Sequence, residues 1–210
     1  MFNVFQNKKL KRDLETIKSL ETKFKINEIK NYKTNNGRVT DIHLGHLKIK
    51  NEDLGIITRL DALELLNLDY NHISNIKALG SLKKLKRLSL ANNHFKEIKD
   101  FDSLTNLRKL NLGDNQISKL ENLEKLINLR ELYLANNQIS KIEGLKNLTK
   151  LTTLSLADNM IKSIKGMDKL QNLYSKDLFN NRVMSIEGLE TLTSLERFIV
   201  KKEPFSGFPI

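Results

Sequence analysis

The 210-residue sequence predicts an α/β solenoid of about eight coils, with a curved parallel β-sheet on the concave side, 3₁₀ or short helical returns on the convex side, and a helical cap at the N-terminal end. Three observations lead there. Asparagine recurs at positions 71, 93, 115, 137, 159 and 181, always in steps of 22. Two apolar columns keep the same step: Leu68, Leu90, Leu112, Leu134, Leu156 and Leu178, then Ile73, Phe95, Ile117, Ile139, Ile161 and Val183. Within each coil the apolar spacing changes from two before the asparagine to three after it, as in LRELYL and then Ile142, Leu145, Leu148 and Leu151.

The organisation follows from where the period holds. Residues 1–38 do not repeat and are read as an N-terminal helical cap, 39–203 carry the repeats, and 204–210 form a short or truncated C-terminal cap. In the N-terminal segment, Leu10, Leu14, Ile17, Leu20 and Phe24 mark one apolar face of an amphipathic helix. That stripe is expected to cover the open edge of the first coil, because terminal repeats must hide the core. Lys8, Lys9, Lys11 and Arg12 cluster beside Phe2, Val4 and Phe5, a pattern that also suits attachment to an anionic surface. Asn35-Asn36-Gly37 supplies the turn into the first strand.

The first strand is VTDIHL, Val39 to Leu44, with Leu47 where later coils carry asparagine. Others are expected near 63–68, 85–90, 107–112, 129–134, 151–156, 173–178 and 195–200, the last with Glu203 in the asparagine position. Alternation at Leu132 and Leu134 sends one strand face into the core and leaves the other outside. The chain then turns inward and takes the asparagine with it. A buried amide must be hydrogen-bonded, and asparagine, with two donors and an acceptor, can serve backbone groups of its own coil and of its neighbour. Asn71, Asn93, Asn115, Asn137, Asn159 and Asn181 are therefore expected to form a structural ladder.

The returns have a spacing of three, which suits 3₁₀ turns, where residues at i and i+3 eclipse. Ser118 to Glu121 and Ser140 to Glu143 read as capping boxes that open helical turns. One residue breaks the core column of Leu66, Leu88, Leu110, Leu132, Leu154 and Phe198: it is Lys176. A buried ammonium is costly unless paired or able to reach water, so strand 173–178 is expected to distort locally or the lysine stem to bend outward.

LANNQISKIEGLKNLTKL and NNRVMSIEGLETLTSL resemble leucine-rich repeats of the 22-residue class typified by the regulatory subunit of protein phosphatase 1, over roughly residues 39–203. Similar repeats occur in bacterial internalin-like and archaeal proteins. The resemblance implies a curved, non-enzymatic protein that binds partners through its concave face. Phosphatase-binding members resemble one another in a row of acidic and aromatic concave residues. Here the column reads His43, Asn67, Ser89, Asn111, Tyr133, Ser155, Asp177 and Ile199, so phosphatase binding is not carried over. FIVKKEPFSGFPI resembles the opening of a C-terminal cap, with Glu203-Pro204 in place of Asn-Pro. Either Phe205, Phe208 and Ile210 fold back as a minimal cap or the sequence is part of a longer protein.

The formal net charge is +11, yet the residues expected on the concave face nearly cancel in charge. A groove for phosphate backbones must be strongly positive, so no nucleic acid is expected there. The expected partner-binding residues of that face are Leu65, Tyr70, Arg87, Lys109, Asp114, Glu131, Tyr133, Asp158, Asp177, Phe179 and Ile199. Tyrosine and apolar anchors inside a polar rim are the usual anatomy of a protein interface.

The chain has no cysteine, which rules out disulfides, thiolate metal sites and a cysteine nucleophile and fits a cytoplasmic location. No apolar run approaches the ~18 residues of a membrane span, and no secretory leader is read at the start. Nucleotide-binding, zinc-protease and hydrolase motifs are absent. Of the histidines His43, His46, His72 and His94, the first two point apart in ideal strand geometry, so no metal site is expected. Asp114 and Asp158 stand two coils apart, too far to share a proton. The sequence thus reads as a monomeric, non-catalytic scaffold for another protein, without cofactor or membrane attachment. The alternative is a peripheral module held to anionic membrane or nucleic acid by its basic N-terminal segment.

Overall fold

The computed structural model describes residues 2–25 (side chains from residue 8), 32–184 and 192–200. The expected C-terminal cap lies outside the described residues. Helix α1 (Phe2–Phe24) is followed by strands β1 (Tyr32–Asn35) and β2 (Arg38–His43). A 3₁₀ turn at Asn51–Asp53 runs into the short helix α2 (Leu54–Ile57), and β3 (Leu65–Asn67) comes next. A second 3₁₀ segment, Lys77–Ser81, leads to β4 (Arg87–Ser89). Then come β5 (Lys109–Asn111), β6 (Glu131–Tyr133), β7 (Thr153–Ser155), β8 (Ser175–Asp177) and β9 (Arg197–Ile199).

The nine strands among the described residues form one sheet in chain order. The eight strands from β2 to β9 are parallel, and the register is the repeat itself: Leu66 lies beside Leu88, Leu110 beside Leu132, Lys176 beside Phe198. The regular strands are only three residues long, shorter than the alternation suggests. Inter-coil bonding continues past their ends, since Leu68 N–H donates to Ser89 O and Tyr70 N–H to Ala91 O. The core is a stack of side chains from every coil, with Ile42, Leu66, Leu110, Leu132 and Leu154 fully buried.

The returns carry the period of three as bonds. Leu126 N–H donates to Leu123 O and Leu129 N–H to Leu126 O, and the pattern repeats at Leu148, Leu151, Leu170 and Leu173. These are single 3₁₀-type turns in series. The helical turns expected to open at Ser118 and Ser140 do not form, and both segments are without helix. Asn122 and Gly144, four residues on, have φ of 59° and 71°, a left-handed conformation that no α-helix can pass through. A Cβ at Gly144, or at Gly166 with φ of 102°, would overlap the carbonyl oxygen of Leu120 or Ile142 in the preceding coil. Both positions therefore require glycine.

The N-terminal end differs from expectation in two ways. Asn36-Gly37, with φ of 47° and 67°, closes a hairpin, so β1 pairs antiparallel with β2 and covers the first sheet edge. The buried face of α1 consists of Asp13, Thr16, Ile17 and Leu20, while Leu14 is 38% exposed. Asp13 is fully buried because it is saturated. It accepts Arg38 Nε at 2.9 Å, Arg38 Nη2 at 3.2 Å and the Val39 N–H at 3.0 Å. Arg38 also bonds Asp61, which in turn accepts Arg12 Nη2 at 3.0 Å. Burial works against the Asp61 carboxylate, but Arg38 and then Arg12 outweigh it and hold its pKa below the usual range. Lys23 reaches Asp53 at 2.6 Å, a second tie between α1 and the first return.

Lys176 corrects the sequence reading outright. Strand β8 keeps full register with β7 and β9, so nothing is distorted. The side chain does not bend outward either, since its exposure is 0%. Its Nζ has no hydrogen-bond partner among the described residues and sits 5.0 Å from the Phe198 ring centroid.

Candidate functional site

The outward positions of the short strands form the concave face, and the sharp turn after each strand forms its rim. That turn has one shape throughout: His46, Tyr70, Asn92, Asp114, Asn136, Asp158 and Asn180 all have φ between 53° and 62°. Asparagine and aspartate tolerate this left-handed region, whereas a tyrosine there is unusual. Tyr70 is 52% exposed, and its ring stacks on His46 with centroids 4.1 Å apart and planes 11° from parallel. The rim thus presents a preset aromatic pair at the N-terminal end of the arc.

Behind the rim lies the asparagine ladder. Asn137 Nδ2 donates to Leu112 O of the preceding coil and to Leu134 O and Ala135 O of its own, while its Oδ1 accepts the Ile117 N–H at 2.9 Å. The same four bonds recur at Asn93, Asn115 and Asn159, and Asn71 takes a further N–H, that of Leu47. Every polar atom of these amides is committed to backbone, so the ladder has none to spare for a ligand.

On the face itself, charges pair across coils. Lys109 Nζ lies 2.7 Å from Glu131 Oε2 and 4.7 Å above the Tyr133 ring, and the Tyr133 hydroxyl donates to Glu131 at 2.8 Å. Burial works against the Glu131 charge, but the bonds from Lys109 and Tyr133 prevail and hold its pKa below the usual glutamate range. For Tyr133, burial first and then the bond to Glu131 push the phenol pKa up. Arg87 stands 3.6 Å from Asp41, and Asp69 accepts the Ser89 hydroxyl at 2.6 Å and the Ala91 N–H at 2.8 Å. Asp114 and Asp158 each accept a side-chain amide, from Asn136 and Asn180.

The structure groups some of the sequence-selected residues and separates others. Leu65, Arg87, Lys109 and Glu131 line one shallow depression of about 400 Å³, together with His43. Tyr133 joins them through Glu131. Asp177, Phe179 and Ile199 lie on or beside β8 and β9, at the other end of the arc. Phe179 and Ile199 are 43% and 37% exposed. Sequence reasoning passed over the stacking of His46 under Tyr70. The signal was there: Tyr70 and His46 are the aromatic departures from an Asn/Asp column. No three or more histidine, cysteine or acidic side chains gather in metal-binding geometry among the described residues. No helix among them is long and apolar enough to cross a membrane.

Residues 61–104, 83–125 and 105–147 match the family model described as leucine rich repeats (two copies). No curated protein sequence matches the chain. Among solved structures, an internalin (inlF) from Listeria monocytogenes superposes with a TM-score of 0.72 at 28% identity, covering 90% of this chain and 56% of its own. Internalin C2 from the same organism gives 0.72 at 23% identity, covering 91% of this chain and 87% of its own. A leucine-rich repeat protein of Leptospira interrogans gives 0.69 at 27% identity, covering 77% of this chain and 43% of its own. The chain therefore spans little more than half of the first internalin and less than half of the Leptospira protein.

Proposed function

We propose that this leucine-rich repeat solenoid is a non-catalytic scaffold that binds another protein across its concave face. Repeats of this kind generally mediate protein–protein contact. The observation that carries the reading is the state of the charges. Lys109 with Glu131 and Arg87 with Asp41 are paired across neighbouring coils, and Asp69, Asp114 and Asp158 are hydrogen-bonded. Such a face holds little unspent charge for a phosphate backbone. What it presents instead is half-exposed apolar surface at Tyr70, Phe179 and Ile199, with a polar surround and with the Tyr70 ring held against His46. A ring already held in this way loses little entropy on binding.

The basic N-terminal segment is a weaker anion site than its composition suggests, because Arg12 is engaged by Asp61. The test is affinity capture from a native-source lysate at low and moderate salt, with wild type beside Tyr70→Ala/Phe179→Ala, both checked for folding. A protein retained at moderate salt and lost in the double variant supports the proposal. Capture that vanishes with salt and ignores the variant moves the function to the basic segment.

A further inference from the structure

We propose that His72 and His94 form a two-imidazole site for one divalent transition-metal ion of the zinc, nickel or copper class, on the flank of the solenoid. The two histidines are 22 residues apart, each directly after a ladder asparagine, so they occupy equivalent places in successive coils. Both are exposed. His72 Nδ1 and His94 Nε2 approach to 3.2 Å. The ring centroids are 5.3 Å apart and the planes 23° from parallel. Centroids so much farther apart than the nitrogens place those nitrogens on facing ring edges, so their in-plane electron pairs address the same gap.

That gap has the size of a metal's coordination edge. Two nitrogens bound to zinc at about 2.0–2.1 Å in a tetrahedral arrangement lie roughly 3.3 Å from each other. Without metal, one imidazole N–H donates to the other ring's nitrogen. When metal enters, the donor ring moves its proton to its other nitrogen, and both contact nitrogens become ligands. Both rings turn off the line between the two nitrogens so that their electron pairs converge on the ion, and water fills the remaining positions.

The backbone holds the pair in place. His72 N–H donates to Ile49 O and His94 N–H to Ile73 O, each at 2.8 Å, part of a ladder along the flank. The same column reads Lys50, His72, His94, Gln116, Gln138, Met160 and Arg182, so this one step brings two imidazoles together. The placement is separate from the concave anchors, and the inference does not depend on the proposed partner.

The experiment is calorimetric titration of the full chain with zinc chloride and nickel chloride near neutral pH. Wild type and the control Gln138→Ala should take up one equivalent near neutral pH. His72→Gln and His94→Gln should each lose saturable uptake. Histidine ring signals in NMR should shift at these two positions only. Uptake that survives both substitutions, or no saturable uptake by folded wild type at millimolar metal, overturns the proposal.

Discussion

Replacing Lys176 by leucine should stabilise the C-terminal coils, and by an amount that depends on pH. Burial alone pushes the ammonium pKa from 10.5 down to about 7. Each pH unit between those values corresponds to about 1.36 kcal/mol, so the protonated side chain costs the fold roughly 4–5 kcal/mol. The Phe198 ring beneath it offsets about 0.5–2 kcal/mol of that. A net gain of roughly 2–4 kcal/mol is expected for Lys176→Leu below pH 7, because leucine restores the column of Leu154. The sign follows from proton counting. Between about 7 and 10.5 the unfolded chain holds a proton that the folded one lacks, so wild-type stability rises with pH across that window. The variant lacks this rise, and the gap between the two proteins closes as pH increases. Urea unfolding read by amide hydrogen exchange at β7 and β8, from pH 6 to 10, measures the gap locally. This matters in a solenoid whose ends can open independently. A gap that does not change with pH, or a variant less stable at pH 6, would refute the argument.

Three further outcomes are expected. Asn137→Ala removes four bonds, those to the Ile117 N–H and the Leu112, Leu134 and Ala135 carbonyls, of which Ala135 O keeps the Asp114 N–H, and at about 0.5–1.5 kcal/mol per bond it should lower unfolding free energy by roughly 2–6 kcal/mol in denaturant titration. Asp13→Ala takes two bonds from Arg38, which keeps Asp61, and strands the buried Val39 N–H; a loss of about 1–3 kcal/mol in the first coils should appear as faster exchange at β1 and β2. Gly166→Ala places a Cβ against the Ile142 carbonyl at a φ of 102°, so it should cost more than ~2 kcal/mol, whereas alanine at Gly55, where nothing lies within 4 Å, should be nearly neutral or slightly stabilising by calorimetry.

Much of this architecture is legible in the chain because stacking is in register. When residue i lies beside residue i+22, as Leu88 does beside Leu110, a period in sequence is a distance in space. Alternation then separates Leu132, inside, from Glu131 and Tyr133, outside. Pairings that leave the period are not legible. Asp13 meets Arg38 from a helix with no repeat, and a lone aspartate among lysines reads as surface. Strand β1 is YKTN, with no residue fully buried, so alternation has nothing to mark. The direction of Lys176 was readable from its column, yet the cost of burial argued for an escape that the regular backbone does not provide. Contacts such as Lys109 over Tyr133 depend on side-chain rotamers, which a column of letters does not specify.

The asparagine ladder also has an arrow. Asn159 completes the Ile139 N–H of the coil before it, and Asn181 completes Ile161 in the same way. Every such bond is thus filled by a residue made later in synthesis. A chain emerging amino end first cannot close one coil until the next asparagine appears, 20 residues behind the donor that waits for it. At roughly 5–20 residues per second of translation, that delay is about one to four seconds per coil, far longer than the microseconds of turn formation. A solenoid grown from its amino end therefore carries one unfinished coil at its tip, waiting on the next asparagine.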